Sequence, residues 1–169
     1  MRYSGPQPGR GHAPSTAHVD AQVVAHYCRW IGGRLPSEPE WEKAARGFPG
    51  RLWPHGDRIG CADAHYARGQ AFNACAGFGG RADDALPPGG YPAALSPFGA
   101  LDLAGNVKEW VDIREDPQAV PADDDPGVTR GGSWRDSAEQ VSALARDTLI
   151  GHGVSSPLHG FRCVAAARP

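Results

Sequence analysis

The sequence predicts one loop-rich α+β domain, and three observations carry that expectation. The first is punctuation: 23 glycines and 16 prolines stand among 169 residues, about twice their average share. Helix and strand interiors tolerate neither residue well, so much of the chain is expected to be turn and loop. A helical bundle and a long coiled coil are thereby excluded, and the glycines lack the three-residue period of collagen. The second is core-forming content. Hydrophobic residues make up 40%, Trp, Phe and Tyr number 5, 5 and 4, and the formal net charge is only -2; disordered chains are poorer in aromatics and richer in charge. The third is order. Helical patterns come early and strand patterns late, which argues against alternating βαβ units.

Residues 1–17 read as an irregular N-terminal segment and 18–169 as the domain. Asp20 is placed to cap a first helix, in which Val23, Val24, Tyr27, Trp30 and Ile31 recur at helical spacing. Gly32 and Gly33 stop it. Ser37-Glu38-Pro39-Glu40 opens a second helix, because serine followed three residues later by glutamate is a capping box and proline suits the first turn. Trp41, Ala44 and Ala45 form its apolar face, and Gly47 ends it. From 48 to 100 turn signals dominate, and periodicity leaves short strands near 64–72 open. Residues 102–110 (DLAGNVKEW) are expected to form a tight loop leading into a short strand around 108–113. Residues 114–127 read as an acidic surface loop. Val128 to Trp134 reads as a strand with a Gly-Gly bulge, and Gly160 to Ala166 as a final strand.

Charge points to no particular partner. Seventeen basic and 19 acidic residues give no basic footprint for nucleic acid. No apolar run approaches the roughly 20 residues needed to span a bilayer, and the first 18 residues lack the apolar centre of a secretory signal. The four cysteines, Cys28, Cys61, Cys75 and Cys163, form no C-x-x-C pair, which argues against a zinc knuckle. The seven histidines (12, 18, 26, 55, 65, 152 and 159) include no H-x-x-x-H pair, and each is expected at the surface or in a turn.

Four ordered motifs then narrow the field: GGRLPSEPEWEKAARG at 32–47, FGALDLAGNVKEW at 98–110, TRGGSW at 129–134 and GFRC at 160–163. Together they resemble the sulfatase-modifying factor family, which includes the formylglycine-generating enzymes and whose pattern runs RLPTEAEWE, GN-x-WEW, RGGSW, GFR. The resemblance implies a C-type-lectin-like fold with long loops tied by metal and disulfides. It also implies that an N-terminal part of the domain is missing here, so that the chain starts inside it. Localisation therefore stays open.

The resemblance carries residue roles with it. Cys28 and Cys163 match positions that form a disulfide in the family; two buried free thiols are the alternative, favoured in a reducing compartment. A second family disulfide matches Ala45 and Arg146, so both partners are absent. Cys61 and Cys75 have no placed counterpart and are free to pair with each other. The family's active centre uses two copper-binding cysteines, and soft Cu(I) makes their identity strict. Their positions fall on Asp136 and Val141. Neighbouring active-site positions fall on Ser137 and Gln140, a family tryptophan falls on Lys108, and only Ser133 is retained. Copper is therefore not expected, nor is formylglycine formation by this chain alone. Non-haem iron, used by the sulfoxide-synthase branch, stays open, although no histidine spacing argues for it.

Calcium is the cofactor the resemblance favours. Hard Ca²⁺ takes six to eight oxygens from carboxylates and carbonyls on a turn. Asp102 and Glu109 would supply side-chain oxygens, and Gly105 and Val107 carbonyls. The alternative is a Gly-Asn turn with Glu109 in a salt bridge. A second calcium site would use Asn73, Ala74 and an acid at Asp83 or Asp84. Trp41 is expected in the core, and Arg130, Arg146 and Arg162 are expected to anchor loops through carboxylates or carbonyls. Two functions follow: a non-catalytic module that binds a protein or peptide, or an oxygen-dependent oxidoreductase of the same superfamily.

Overall fold

Asp20 starts the first helix as its chemistry dictates: its carboxylate accepts a hydrogen bond from the Val23 amide at 2.8 Å, satisfying one of the amides a helix start leaves unpaired. In the computed structural model, which describes residues 19–48, 50–67, 85–114, 127–149 and 154–165, α1 runs Ala21–Trp30. Its inward face differs from the one its large apolar residues suggest. Ala21, Val24, Ala25 and Cys28 are buried, whereas Val23 and Tyr27 are exposed and Trp30 is 81% exposed. Small side chains let the helix axis lie close to the sheet, and the large ones are left on the outer side.

The second helix, α2, runs Glu38–Arg46. Its capping box is complete: the Ser37 hydroxyl accepts from the Glu40 amide, and the Glu40 carboxylate accepts from the Ser37 amide. Glu40 also takes both terminal nitrogens of Arg34, each at 2.7 Å. That pairing, partly opposed by burial, holds the Glu40 carboxyl at about 2. Trp41 and Ala45 point inward.

Four short strands follow: β1 (Lys108–Val111), β2 (Gly127–Arg130), β3 (Arg146–Leu149) and β4 (His159–Phe161). They form one mixed sheet in the order β3-β2-β1-β4. β2 is antiparallel to β1 and β3, and β4 is parallel to β1. β3 was not expected. It is a four-residue edge strand carrying Arg146 and Asp147, so it has neither the length nor the apolar alternation that marks a strand in sequence. β2 ends before the glycines, and no bulge forms. Gly131 and Gly132 take φ values of 87° and 65° and turn the chain out of the sheet. A Cβ on Gly132 would lie 2.4 Å from the Gln140 carbonyl oxygen. The final strand is likewise shorter than 160–166, and among the described residues near 64–72 only isolated bridges at His65 and Ala67 are present, His65 pairing with Gly105.

The register sorts side chains by face, because alternate residues of a strand point opposite ways. Lys108, Trp110, Thr129, Asp147, His159 and Phe161 share one face, and Glu109, Val111, Val128 and Arg130 share the other. The first meets α1: Trp110 joins Ala21, Val24, Ala25, Cys28 and Leu35 in one cluster. The second meets α2: Val111 and Val128 join Trp41, Ala45, Leu103 and Ala143. Each helix thus covers one side of the sheet. A third cluster, Ala64, Tyr66, Ala104 and Val141, lies beneath the loop that follows β2.

A disulfide links Cys28 of α1 to Cys163 beyond β4, across 135 residues and with Cα atoms 5.5 Å apart. Cys61 is also disulfide-bonded; Cys75 lies outside the described residues. Among the described residues, no helix is long and apolar enough to cross a membrane.

Candidate functional site

The loop 131–141 carries Ser133, Asp136, Ser137, Gln140 and Val141, the positions onto which the sequence resemblance places the family's catalytic constellation. The two positive-φ glycines deliver Ser133 to a fully buried place, where its backbone amide and hydroxyl both donate to one oxygen of Asp136, at 2.8 and 2.6 Å. The Lys108 ammonium lies 3.4 Å from that same oxygen and is hydrogen-bonded to Asp147 of β3. Burial on its own would lower the Lys108 pKa; the Asp147 hydrogen bond and the Asp136 charge outweigh it, and the pKa is raised. Lys108 thus brings a cation to the carboxylate at 136. Beyond it, the Ser137 amide and hydroxyl donate to Gln140 and Glu139, closing a surface turn. Val141 is fully buried against Ala64, Tyr66 and Ala104. Ser133 and Asp136 are therefore brought together, whereas Ser137, Gln140 and Val141 are turned to other tasks.

This donor set does not fit a thiolate-bound copper ion. Val141 offers no ligand atom, and the Asp136 oxygen facing Ser133 already accepts two hydrogen bonds and faces an ammonium. Among the described residues, no group of three or more His, Cys, Asp or Glu is arranged to hold a metal.

The 101–109 turn is the second candidate. It uses backbone that few L-residues adopt: Asp102 has φ 57° and Asn106 φ 65°. Gly105, at φ 71°, is required, since a Cβ there would sit 2.2 Å from the His65 carbonyl oxygen. Glu109, 6% exposed, accepts from Arg162 on both oxygens, at 2.5 and 2.6 Å, and from the Trp41 indole at 2.7 Å. Arg162 also donates to the Leu101 carbonyl at 3.0 Å. Glu109 is thus in the salt bridge that competes with metal ligation. Asp102 lines a small cleft together with His55, Asp63, His65, Tyr91 and Asn106. It accepts from the Gly89 amide at 2.6 Å. Burial raises its pKa, against the pull of that amide and of Arg162. The Val107 side chain is half-buried. Asn73, Ala74, Asp83 and Asp84 lie outside the described residues.

Arginine anchoring is as anticipated. Arg130 meets Glu38, Glu42 and the Ala143 carbonyl, and Arg146 meets Glu38. Sequence reasoning missed Asp147 and His159 as neighbours of Lys108. Neither belongs to a motif, and only the sheet register brings them together.

Fold and site together define a sulfatase-modifying-factor type of α+β scaffold with an internal ion cluster of Lys108, Asp136 and Asp147. The chain belongs to the family of sulfatase-modifying factor enzyme 1-like domains, whose family model matches residues 4–167. It is 35% identical to the inactive C-alpha-formylglycine-generating enzyme 2 of Bos taurus, over 89% of this chain and 50% of that protein. It is 32% identical to the formylglycine-generating enzyme of Mus musculus, over 90% and 44%. It is 34% identical to the hercynine oxygenase of Mycolicibacterium thermoresistibile, over 72% and 29%. The chain spans about half the length of the first two relatives, or less. Among solved structures, PvdO from Pseudomonas aeruginosa shares the fold, with TM-score 0.69 and 23% identity over 94% of this chain and 64% of that one.

Proposed function

We propose that this chain is a non-catalytic member of its family, which uses the loop surface of a C-type-lectin-like scaffold to hold a protein or peptide. One observation carries the proposal: of the two positions that hold copper in the family's enzymes, 136 is a carboxylate engaged by Ser133 and Lys108, and 141 is a valine buried in the core. No redox-active ligand remains at either. Similarity to a protein named as an inactive formylglycine-generating enzyme supports the same view. Incubation with a sulfatase-type cysteine peptide, copper and oxygen is expected to leave the peptide unchanged by mass spectrometry; appearance of the aldehyde product would sink the proposal.

The similarity to hercynine oxygenase favours one other reading, an oxygen-dependent non-haem iron oxidoreductase. Stoichiometric iron in the purified protein would select it.

We also propose that the 102–109 turn takes calcium through the Asp102 carboxylate and the carbonyls of Gly105 and Val107. Glu109 would be shared with Arg162. The support is Asp102 itself, a half-buried carboxylate whose charged form is disfavoured by desolvation and gains from any added cation. Excess calcium is expected to raise the melting temperature of the wild type and not that of Asp102→Ala. A wild type indifferent to calcium and to chelator refutes it.

A further inference from the structure

The first helix turns its largest apolar side chains to solvent. Val23, Tyr27, Trp30 and Ile31 are 55%, 42%, 81% and 40% exposed. They stand at positions i, i+4, i+7 and i+8, so they fall within an arc of about 100° and make one stripe along α1. Arg29, the one charged residue between Val23 and Ile31, falls outside that arc. The stripe continues onto the sheet: the Tyr27 ring lies 6.0 Å from Trp30 and edge-on to Phe161 of β4 at 5.5 Å. The helix that carries it is held fast by the Asp20 cap, by the buried face of Ala21, Val24, Ala25 and Cys28, and by the Cys28–Cys163 bridge. The stripe is therefore presented with little ordering cost to a partner.

Side chains of this size and exposure leave on the order of 400 Å² of apolar surface in the open. That matches the largest patch on an ordinary monomer, and such patches mark interaction sites. The stripe offers no ion to pair with, so its complement is apolar and uncharged, and a second copy of the same stripe meets that description. The spacing is also symmetric about Tyr27, with a branched aliphatic residue four positions before it and four after. An antiparallel two-fold pairing sets Val23 of one copy against Ile31 of the other and Tyr27 against Tyr27, the self-complementary contact that a two-fold dimer requires. The two stripes together remove about 800 Å² from water. Phe161 and His26 at their borders carry the interface past the roughly 1,000 Å² of a specific contact.

We propose that α1 is a homodimer interface, in which the Val23–Ile31 stripe of one copy packs antiparallel on the same stripe of a second. Trp30 is its anchor: it is the most exposed large apolar residue of α1, and tryptophans buried at an interface carry a disproportionate share of binding energy. The interface uses neither the 131–141 loop nor the 102–109 turn, and it stands whatever either of them binds.

Sedimentation velocity of the full chain from about 1 to about 200 µM tests this. The wild type is expected to shift toward twice the monomer mass as concentration rises. Trp30→Glu and Val23→Glu, at opposite ends of the stripe, are each expected to stay monomeric at every concentration with an unchanged circular dichroism spectrum, since both side chains are exposed. Phe98→Glu, at an exposed phenylalanine outside α1, is expected to dimerise like the wild type. A wild type that stays monomeric throughout overturns the proposal and leaves the stripe to another occupant, such as residues 1–18 or a different protein. Dimers that survive either α1 substitution, or that Phe98→Glu abolishes, overturn it as well. Should a glutamate variant fail to fold, Trp30→Ala decides: dimerisation weakened at least about tenfold supports the interface, and an unchanged dimerisation constant refutes it.

Discussion

Glu109 shows how much one buried side chain can settle. It stands on the face of β1 turned toward α2, where the Trp41 indole and the Arg162 guanidinium engage both oxygens of its carboxylate. It therefore ties the second helix, the central strand and the segment after β4 to one point. Removing one partner of a buried pair leaves an uncompensated charge, which costs far more than a surface pair contributes. Glu109→Gln is expected to lose about 3 kcal/mol, seen as a lower urea midpoint at an unchanged slope. A midpoint within experimental error of wild type would mean that the pair is solvated. At position 136 the same logic holds: the aspartate accepts from the Ser133 amide and hydroxyl and meets Lys108 from the neighbouring strand.

At the scale of elements, α2 is the most locally determined part of the molecule. Capping box, first-turn proline and the glycine at its end are all written within ten residues, and each forms as its chemistry requires. Ser37→Ala is expected to cost about 1 kcal/mol, measured by chemical denaturation, without moving the Trp41 to Glu109 contact. α1 was half legible. Its cap and length follow from sequence, but its buried side does not. Val23, Tyr27 and Trp30 have the spacing of a core face and are nonetheless exposed, because the available space beneath the helix suits alanine and cysteine. β3 was not legible at all. A four-residue edge strand gains its order from the neighbour it pairs with.

For the whole molecule, long loops and a four-stranded sheet leave cohesion to a few ties. The Cys28–Cys163 disulfide is the longest in sequence, closing 135 residues. Constraining a loop of that size contributes about 4–5 kcal/mol in the chain-entropy description. The double variant Cys28→Ala, Cys163→Ala is expected to melt roughly 10–15 °C lower than wild type. A drop of only a degree or two would show that the sheet and its two helices hold without the tie. The Arg130, Glu38, Glu42 and Arg146 network joins α2 to β2 and β3 in the same spirit, through contacts 88 to 108 residues apart in sequence.

The α+β class, both helix starts and the family were legible in the sequence. These depend on residue identity and short spacing, which survive in a one-dimensional string. Only the fold sets the surroundings of position 136. Lys108, Asp136, Asp147 and His159 span 51 positions, and no local pattern relates them. Strand register sets them side by side, and burial then makes each charge answer to the others.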